Sequence, residues 1–211
     1  MQSLRTNNWI FLLLLLYFFG TIGISLPYTR DYFLPLTPVN LLYTFFIVFE
    51  FGLEKNKKAL LSIFLIGIFG YTVELIGVNT SLLFGQYHYG SNFGIKIFNT
   101  PILIAINWIT LTLCSYGISV YISKNKIISI LIAASIMVGL DLLIEPVCHI
   151  LDYWKWKNND IPFNNYRDWF LFSILFNLLC HYWQLVLNKS VCLFVIILES
   201  LFFIILNFIL R

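Results

Sequence analysis

The chain has 211 residues, of which 60% are hydrophobic and 11% are charged, and its formal net charge is +3. Soluble domains are about half apolar and about a quarter charged, so this composition excludes an ordinary soluble protein. It indicates an integral membrane protein. The 13 lysine and arginine residues are spread over short loops, which is not the pattern of a nucleic-acid-binding surface.

Spanning helices need about 20 mostly apolar residues, and the sequence contains seven candidate segments. They cover residues 9–26, 39–53, 60–78, 101–123, 127–151, 169–187 and 191–210. Backbone polar groups in lipid must be satisfied within the protein, so apolar runs of this length favour helices. The sequence therefore predicts an all-α, polytopic transmembrane helical bundle of about seven helices, built as one integral membrane domain over residues 1–211.

The loops between these segments differ in length and charge. Two long stretches, 79–100 and 152–168, are rich in aromatic residues and asparagine, whereas the short loops at 54–58, 124–126 and 188–190 are basic. The positive-inside rule makes the side with the short basic loops cytoplasmic. We therefore expect a multi-pass protein of the cell membrane, with its N-terminus in the cytoplasm and both long loops on the opposite face.

Three carboxylic acids, Glu74, Asp141 and Glu145, lie near the helix ends that lead into the long loops. Asp141 and Glu145 are four residues apart and share one helix face with His149, which follows four residues later. Charges inside a membrane are costly, roughly 2.5–3.5 kcal/mol on insertion scales, so such residues are functional candidates by default. Two carboxylates close together in a low dielectric do not both ionise readily, so we expect one to hold its proton and act as a general acid. The alternative is that they only make hydrogen bonds between packed helices.

The third acid, Glu74, lies on the same helix face as Gly67, Gly70 and Gly77. Small residues allow helices to approach closely in membranes, so the spacing predicts that Glu74 points into a seam between helices. Because the helices alternate in direction, we expect Glu74 to lie at the same membrane face as the Asp141–Glu145 pair.

Two stretches of the sequence resemble the signatures of the membrane carotenoid hydratase family, which includes the bacterioruberin-type and γ-carotene-type hydratases. The first is ELIGVNTSLLFGQYHYGSNFGIKIFNTPILIAINW at 74–108. The second is DLLIEPVCHILDYWKWKNNDIPFNNYRDWF at 141–170, in which an Asp and a Glu-Pro precede a Trp-x-Trp. Together they cover about a third of the chain. The chain departs from the expected pattern at Ser81, Leu83 and Asp168, where we would expect Gly, Pro and Gly.

The resemblance implies an enzyme that adds water across the terminal double bond of an acyclic carotenoid end group, giving a tertiary alcohol without a cofactor. It implies that Glu74, Asp141 and Glu145 supply the acid and the base, with the individual roles left open. Aromatic faces can stabilise the carbocation that protonation forms. The candidate substrate-binding residues are Tyr71, Tyr87, Tyr89, Asn107, Trp108, His149, Trp154, Trp156, Asn165 and Trp169. The expected partners are an acyclic or monocyclic carotenoid, water and membrane lipid, with no nucleic acid and no metal.

Three alternatives remain open from the sequence. A carotenoid end-group cyclase would use the same protonation step and then lose a proton. A transporter or a carotenoid- or lipid-binding scaffold would have no catalytic role, although the inverted repeats typical of transporters are not evident. A metal enzyme could use Asp141, Glu145 and His149 with Glu74 or His88, but three histidines are few for a membrane di-iron enzyme. The Asp-rich motifs of prenyl transferases are not found.

Overall fold

The structure, a computed structural model, describes residues 2–211 as a bundle of helices. The helices are α1 (Gln2–Ser25), α2 (Pro27–Phe33), α3 (Thr37–Ile47), α4 (Lys57–Thr80), α5 (Leu103–Ile122), α6 (Lys126–Cys148), α7 (Phe163–Tyr182) and α8 (Lys189–Leu210). A 3-10 turn, Leu34–Leu36, joins α2 to α3, and a π-helical turn, Val48–Gly52, follows α3.

Within residues 2–211, six helical stretches are long and apolar enough to cross a membrane. They are Asn7–Ser25, Pro27–Gly52, Lys57–Thr80, Leu103–Ile122, Lys126–Cys148 and Lys189–Leu210. The prediction of an all-α, multi-pass membrane bundle is confirmed. Helix α7 is also 20 residues long, but it is less apolar because its first turns are polar.

Four helix boundaries differ from the sequence prediction by five residues or more. Helix α1 begins at Gln2 rather than at residue 9, and α7 ends at Tyr182 rather than at residue 187. The second helical stretch begins at Pro27 rather than at residue 39, and α7 begins at Phe163 rather than at residue 169. Pro27, Pro35 and Pro38 each stand in the first turn of a helical segment. The missing proline N–H is not needed at that position, so these prolines start helical segments instead of ending them.

Helix α5 lies at the centre of the bundle. Of its spanning window 72% is buried, against 39% or less for the other five stretches, and it packs against α3, α4, α6, α7 and α8. Helix α4 approaches it closely through glycine, because a Cβ atom on Gly70 would lie 2.8 Å from the Cβ of Trp108. This is the seam that the glycine spacing predicts, and Glu74 lies in it, one turn beyond Gly70.

Short strands in the two long loops cover one end of the bundle, although we did not expect strands from the sequence. They are β1 (Tyr87–Tyr89), β2 (Lys96–Ile97), β3 (Thr100–Pro101) and β4 (Trp154–Trp156). β2 pairs with β3, and β1 pairs antiparallel with β4 to form a ribbon between the two loops. Successive side chains in a strand point to opposite faces. The aromatic residues of β1 and β4 therefore face the bundle, while His88 faces outward.

Two aspartates anchor these loops. The Asp152 carboxylate accepts hydrogen bonds from the backbone N–H and the hydroxyl of Ser91, both at 2.7 Å, and pairs with Lys155 at 2.9 Å. The Asp168 carboxylate at the start of α7 accepts a hydrogen bond from the backbone N–H of Phe84 at 2.7 Å. Each aspartate therefore fixes the first long loop to the second loop or to the helix that follows it.

Candidate active site

Glu74 is buried where α4 meets the ribbon, with 2% of its surface exposed. Its Oε2 atom accepts hydrogen bonds from the hydroxyl of Tyr87 at 2.6 Å and from that of Tyr89 at 2.8 Å. Its Oε1 atom accepts one from the indole N–H of Trp108 at 3.0 Å. Both carboxyl oxygens are thus satisfied by protein groups, which offsets the cost of removing an acid from water.

Glu145, on α6, is equally buried and has a different set of donors. Its Oε2 atom accepts hydrogen bonds from the indole N–H of Trp156 at 2.6 Å and from that of Trp154 at 3.2 Å. The thiol of Cys148 lies 3.5 Å from the same oxygen. Its Oε1 atom accepts a hydrogen bond from the side-chain amide of Asn165 at 2.9 Å.

Asp141 lies one helical turn before Glu145, and the side-chain amide of Asn165 donates hydrogen bonds to both carboxyl groups. The Nδ2 atom of Asn165 donates to Asp141 Oδ2 at 2.7 Å as well as to Glu145. Among the described residues, no group donates to Asp141 Oδ1, which is buried. An unpartnered carboxylate oxygen is costly in the interior.

The ribbon of β1 and β4 connects the two glutamates. Tyr87 stands opposite Trp156 and Tyr89 stands opposite Trp154 in the antiparallel register. The ring centroids of Tyr87 and Trp156 are 5.0 Å apart. One strand therefore supplies both hydroxyl donors to the first glutamate, and the other strand supplies both indole donors to the second. A shift of this ribbon would change the surroundings of both acids at once.

The two tyrosines of the ribbon are held in their protonated form. Burial raises the pKa of Tyr87 and that of Tyr89 well above the usual 10.0, and the adjacent Glu74 carboxylate raises both further. Their hydroxyl groups therefore remain hydrogen-bond donors at any physiological pH.

A small cavity of about 20 Å³ lies between the two glutamates. This volume is room for about one water molecule. One wall is the indole of Trp169, which stacks on that of Trp108 with a centroid distance of 4.1 Å. The residues that line the cavity are Glu74, Phe84, Tyr87, Tyr89, Ile104, Glu145, Trp154, Trp156, Asn165 and Trp169. The arrangement is two carboxyl groups facing a small aromatic cavity whose lining side chains are all buried.

On its other side, Glu145 borders an open pocket of about 480 Å³, which we call the vestibule. The residues that line it are Glu145, Pro146, Cys148, His149, Ile150, Trp156, Asn159, Ile161, Leu210 and Arg211. His149 and Arg211 are exposed there. Glu145 and Trp156 thus separate the vestibule from the small cavity.

Three of the residues predicted to bind substrate lie away from the small cavity. The hydroxyl of Tyr71 donates to the carbonyl of Ile97 at 2.9 Å in the outer loop. Asn107 lines a second cavity of about 40 Å³, and His149 lines the vestibule. The structure brings together the three acids, Trp108 and the six other predicted residues, Tyr87, Tyr89, Trp154, Trp156, Asn165 and Trp169.

The residues considered as metal ligands are not gathered at one point. His88 and His149 are both exposed and lie on different loops. Among the described residues, no group of three or more His, Cys, Asp and Glu side chains is arranged to hold a metal ion.

Sequence reasoning did not identify two buried acids. Asp168 was expected at the same membrane face as the other acids but was not predicted as a site residue, and it anchors Phe84 in the cavity wall. Glu199, on α8, is 7% exposed and lines the 40 Å³ cavity. A signal for Glu199 was available, because it is a lone acid in the middle of an otherwise apolar helix, and such residues are functional candidates.

Together these features define a multi-pass membrane protein with a buried carboxyl centre beneath an aromatic ribbon. The chain belongs to the carotenoid biosynthesis protein family, whose model matches residues 36–210. The resemblance seen in the sequence to a carotenoid biosynthesis membrane family is therefore confirmed.

The chain is distantly similar to a protein whose name states its activity. Over 124 residues the chain is 23% identical to the bisanhydrobacterioruberin hydratase of Haloarcula japonica, and the match covers 55% of this chain and 42% of that protein. The chain thus spans about two-fifths of the length of this relative. No solved structure matches the chain.

Proposed function

We propose that the protein is a carotenoid hydratase, which adds water across the terminal double bond of an acyclic end group to give a tertiary alcohol. The observation that carries the proposal is the pair of glutamates that face one small aromatic cavity lined by buried side chains. Membership of the carotenoid biosynthesis protein family and the hydratase name of the Haloarcula relative support it.

The first step is transfer of a proton to the alkene. The proton forms a bond to the less substituted carbon, and the tertiary carbon becomes a carbocation. The proton comes from the Asp141–Glu145 pair, in which Asp141 Oδ1 has no donor and Glu145 faces the cavity. A positioned general acid contributes roughly 10²- to 10⁴-fold to a rate.

The second step is capture of the carbocation by water. The faces of Trp169 and of the ribbon aromatics stabilise the cation, and the Glu74 carboxylate, fully hydrogen-bonded by three donors, supplies the balancing negative charge. Water bonds to the tertiary carbon and gives its extra proton to Glu74. The proton then returns to the acid pair, so the net change is the addition of one water.

The vestibule favours hydration over cyclisation. A cyclase would use the same acid and cation stabilisation but would gain from excluding water throughout. Here Glu145 and Trp156 line both the small cavity and an open pocket of about 480 Å³. Water can therefore reach the reacting carbon by a short path.

An end group is much larger than the 20 Å³ cavity, so the ribbon or the Trp154 indole must move when substrate enters. The ribbon can move in this way because it is formed by two loops, whereas the helices beneath it can stay in place.

The test is co-expression with a lycopene-producing bacterial host, followed by mass analysis of the pigments. We expect the wild-type protein to give pigments heavier by one or two waters. Glu145→Gln, Asp141→Asn and Glu74→Gln should each lower the rate by roughly 10²- to 10⁴-fold while the protein still inserts. Hydration at the wild-type rate in all three variants would overturn the proposal, and a pigment of unchanged mass but altered absorption would indicate a cyclase.

A further inference from the structure

Helices α6 and α7 pack against each other along a row of polar side chains. The faces that meet carry residues at every fourth position, which is the spacing of one helix face. The residues of the α6 face are Ser129, Ala133, Met137, Asp141 and Glu145, and those of the α7 face are Asn165, Trp169, Ser173, Asn177 and His181. The amide of Asn165 donates to Asp141 at 2.7 Å. Three turns further along α7, the amide of Asn177 lies 3.8 Å from the sulfur of Met137.

Five buried polar atoms of this row have no hydrogen-bond partner among the described residues. They are Ser129 Oγ and Asp141 Oδ1 on α6, and Ser173 Oγ, Asn177 Oδ1 and His181 Nδ1 on α7, and we call these five residues the polar seam. In the described part of the chain, only Ser25 and Asn40 have further side-chain atoms of this kind. Most buried polar atoms in proteins have a partner, and an unpartnered one is costly. Their concentration between two helices indicates that they share a ligand.

Water is the ligand that matches the polar seam. The serine hydroxyls both donate and accept, the oxygens of Asp141 and Asn177 accept, and the imidazole of His181 can do either. A single file of water molecules satisfies such a mixture, since buried waters typically make about three hydrogen bonds to polar groups that otherwise lack them. An apolar ligand would satisfy none of these atoms. Helices that contact each other directly, as at Asn177 and Met137, leave no space for a larger polar molecule.

The polar seam runs from the acid centre to the opposite face of the bundle. At one end Asp141 is joined to Glu145 by the amide of Asn165. At the other end Ser129 lies in the first turn of α6 and His181 in the last turn of α7. These turns adjoin the short basic loops, and His181 is only partly buried. The seam therefore has an acid at its inner end and a histidine near solvent at its outer end.

From this geometry we infer that the polar seam binds a single file of water molecules from Asp141 to His181, and that protons pass along it between the acid pair and the face with the short basic loops. A histidine ring suits the outer end, because it can take up a proton at one nitrogen and release one from the other.

The seam gives the acid pair a second source of protons besides Glu74. One proton enters at His181 for each proton that Glu74 releases to water, so the net change is still the addition of one water. This proton supply rests on the proposed hydratase function, whereas the binding of water does not.

The water file is tested without substrate, on the full chain in lipid nanodiscs, by radiolytic hydroxyl-radical labelling. The method oxidises side chains that lie beside bound water. Met137 is the reporter, because it is fully buried and its sulfur contacts Asn177 and Thr112 in the interface. We expect Met137 to be labelled in the wild-type protein despite its burial.

Ser173→Val fills the seam and removes a hydroxyl group, so it should remove most of the labelling of Met137. The matched control is Ser62→Val on α4, where the serine is equally buried but its hydroxyl donates to the carbonyl of Lys58 at 3.0 Å. Asn177→Leu, of similar volume to the wild-type residue, is the second variant and should also reduce the labelling. An unlabelled Met137 in the wild-type protein, or full labelling in both seam variants, would show that the seam is dry.

The proton path is tested at His181 by chemical rescue of lycopene hydration. His181→Ala should lower the rate, but by less than the roughly 10²- to 10⁴-fold contribution of a group that protonates the substrate itself, because Glu74 can still return its proton. Imidazole in the buffer should restore part of the rate. Pyrazole, which has the same shape but is a far weaker base, should not. His88→Ala, at an exposed histidine on the outer face of the ribbon, is the control and should keep the wild-type rate.

The outcomes distinguish the inference from the proposed function. If the wild-type protein hydrates no pigment but Met137 is labelled and Ser173→Val removes the labelling, the proposed function fails and the water file stands. If the protein hydrates lycopene but His181→Ala is as active as His88→Ala, or imidazole and pyrazole restore the rate equally, protons do not enter through His181 and the inferred path is wrong.

Discussion

At the residue scale, the acids are distinguished by their hydrogen-bond donors. Among residues 2–211, Asp141 has one donor and Glu74 has three, and the donors to Glu145 include two indoles at unequal distances. Sequence spacing could place Asp141 and Glu145 on one face and could nominate the tryptophans. It could not show that Asn165 joins the pair, because that contact depends on how α7 packs against α6.

The donor distances predict unequal effects for the two tryptophans of β4. Trp156→Phe removes the hydrogen bond to Glu145 at 2.6 Å and Trp154→Phe removes the one at 3.2 Å, while both keep an aromatic ring. Hydrogen bonds to charged groups contribute about 1.5–3 kcal/mol, so we expect Trp156→Phe to lower the hydration rate roughly tenfold or more and Trp154→Phe to lower it less. Trp183→Phe, at the far end of α7, is the control. An equal or reversed order would contradict these roles.

At the element scale, the ribbon was the feature hardest to predict. Tyr-His-Tyr and Trp-Lys-Trp each alternate aromatic with polar residues, which is a strand pattern, but three residues are too few to distinguish a strand from a loop. The pairing of β1 with β4 joins segments far apart in sequence. The need for glycine next to this pairing can be recognised only when the position of the neighbouring backbone is known.

Gly90, immediately after β1, is the critical glycine of the ribbon. A Cβ atom there would lie 2.1 Å from the backbone oxygen of Asp152, so Gly90→Ala must push the two loops apart. We expect a loss of about 1–3 kcal/mol in the free energy of unfolding, together with loss of hydration, because the donors to both glutamates move. Gly139→Ala, in a helix and in open space, should be neutral or slightly stabilising. Thermal unfolding in detergent measures the difference, and a fully active, equally stable Gly90→Ala protein would show that the ribbon is not a constraint.

The loop anchor at Asp152 gives a pH dependence. Partial burial alone would raise the pKa of Asp152, but the hydrogen bonds from Lys155 and Ser91 outweigh it and lower the pKa from 3.8 to about 2. A lowered pKa means that the anchor stabilises the loop above about pH 4, and that this contribution is lost as the pH falls from about 4 to about 2.

The prediction is read from amide hydrogen exchange in residues 87–92, corrected for the intrinsic rate at each pH. Asp152→Asn should show, already at pH 7, the fast exchange that the wild-type loop reaches only near pH 2. Asp160→Asn, an exposed neighbour, should behave as the wild type. If exchange in Asp152→Asn stays slow at pH 7, the carboxylate does not hold the loop.

At the scale of the whole molecule, composition and segment length were sufficient to predict a multi-pass α-helical protein. Hydropathy could not reveal the central position of α5 or the surroundings of Glu199, a buried acid outside the two recognised motifs. Glu199 was overlooked because a single acid in an apolar helix has no sequence neighbour to pair with. The surroundings of Glu199 are formed only when α1, α3 and α8 pack around one cavity.

If the cavity between Glu74 and Glu145 adds water to an alkene, the oxygen of the new hydroxyl group comes from water, and labelled water tests this. Pigments would be formed from lycopene in water enriched in heavy oxygen and then examined by mass spectrometry, with the Glu145→Gln variant alongside. We expect one heavy oxygen in each end group hydrated by the wild-type protein, and almost no heavy oxygen in the pigments formed with the variant. Products that contain no oxygen from water, or equal labelling with Glu145→Gln, would contradict it.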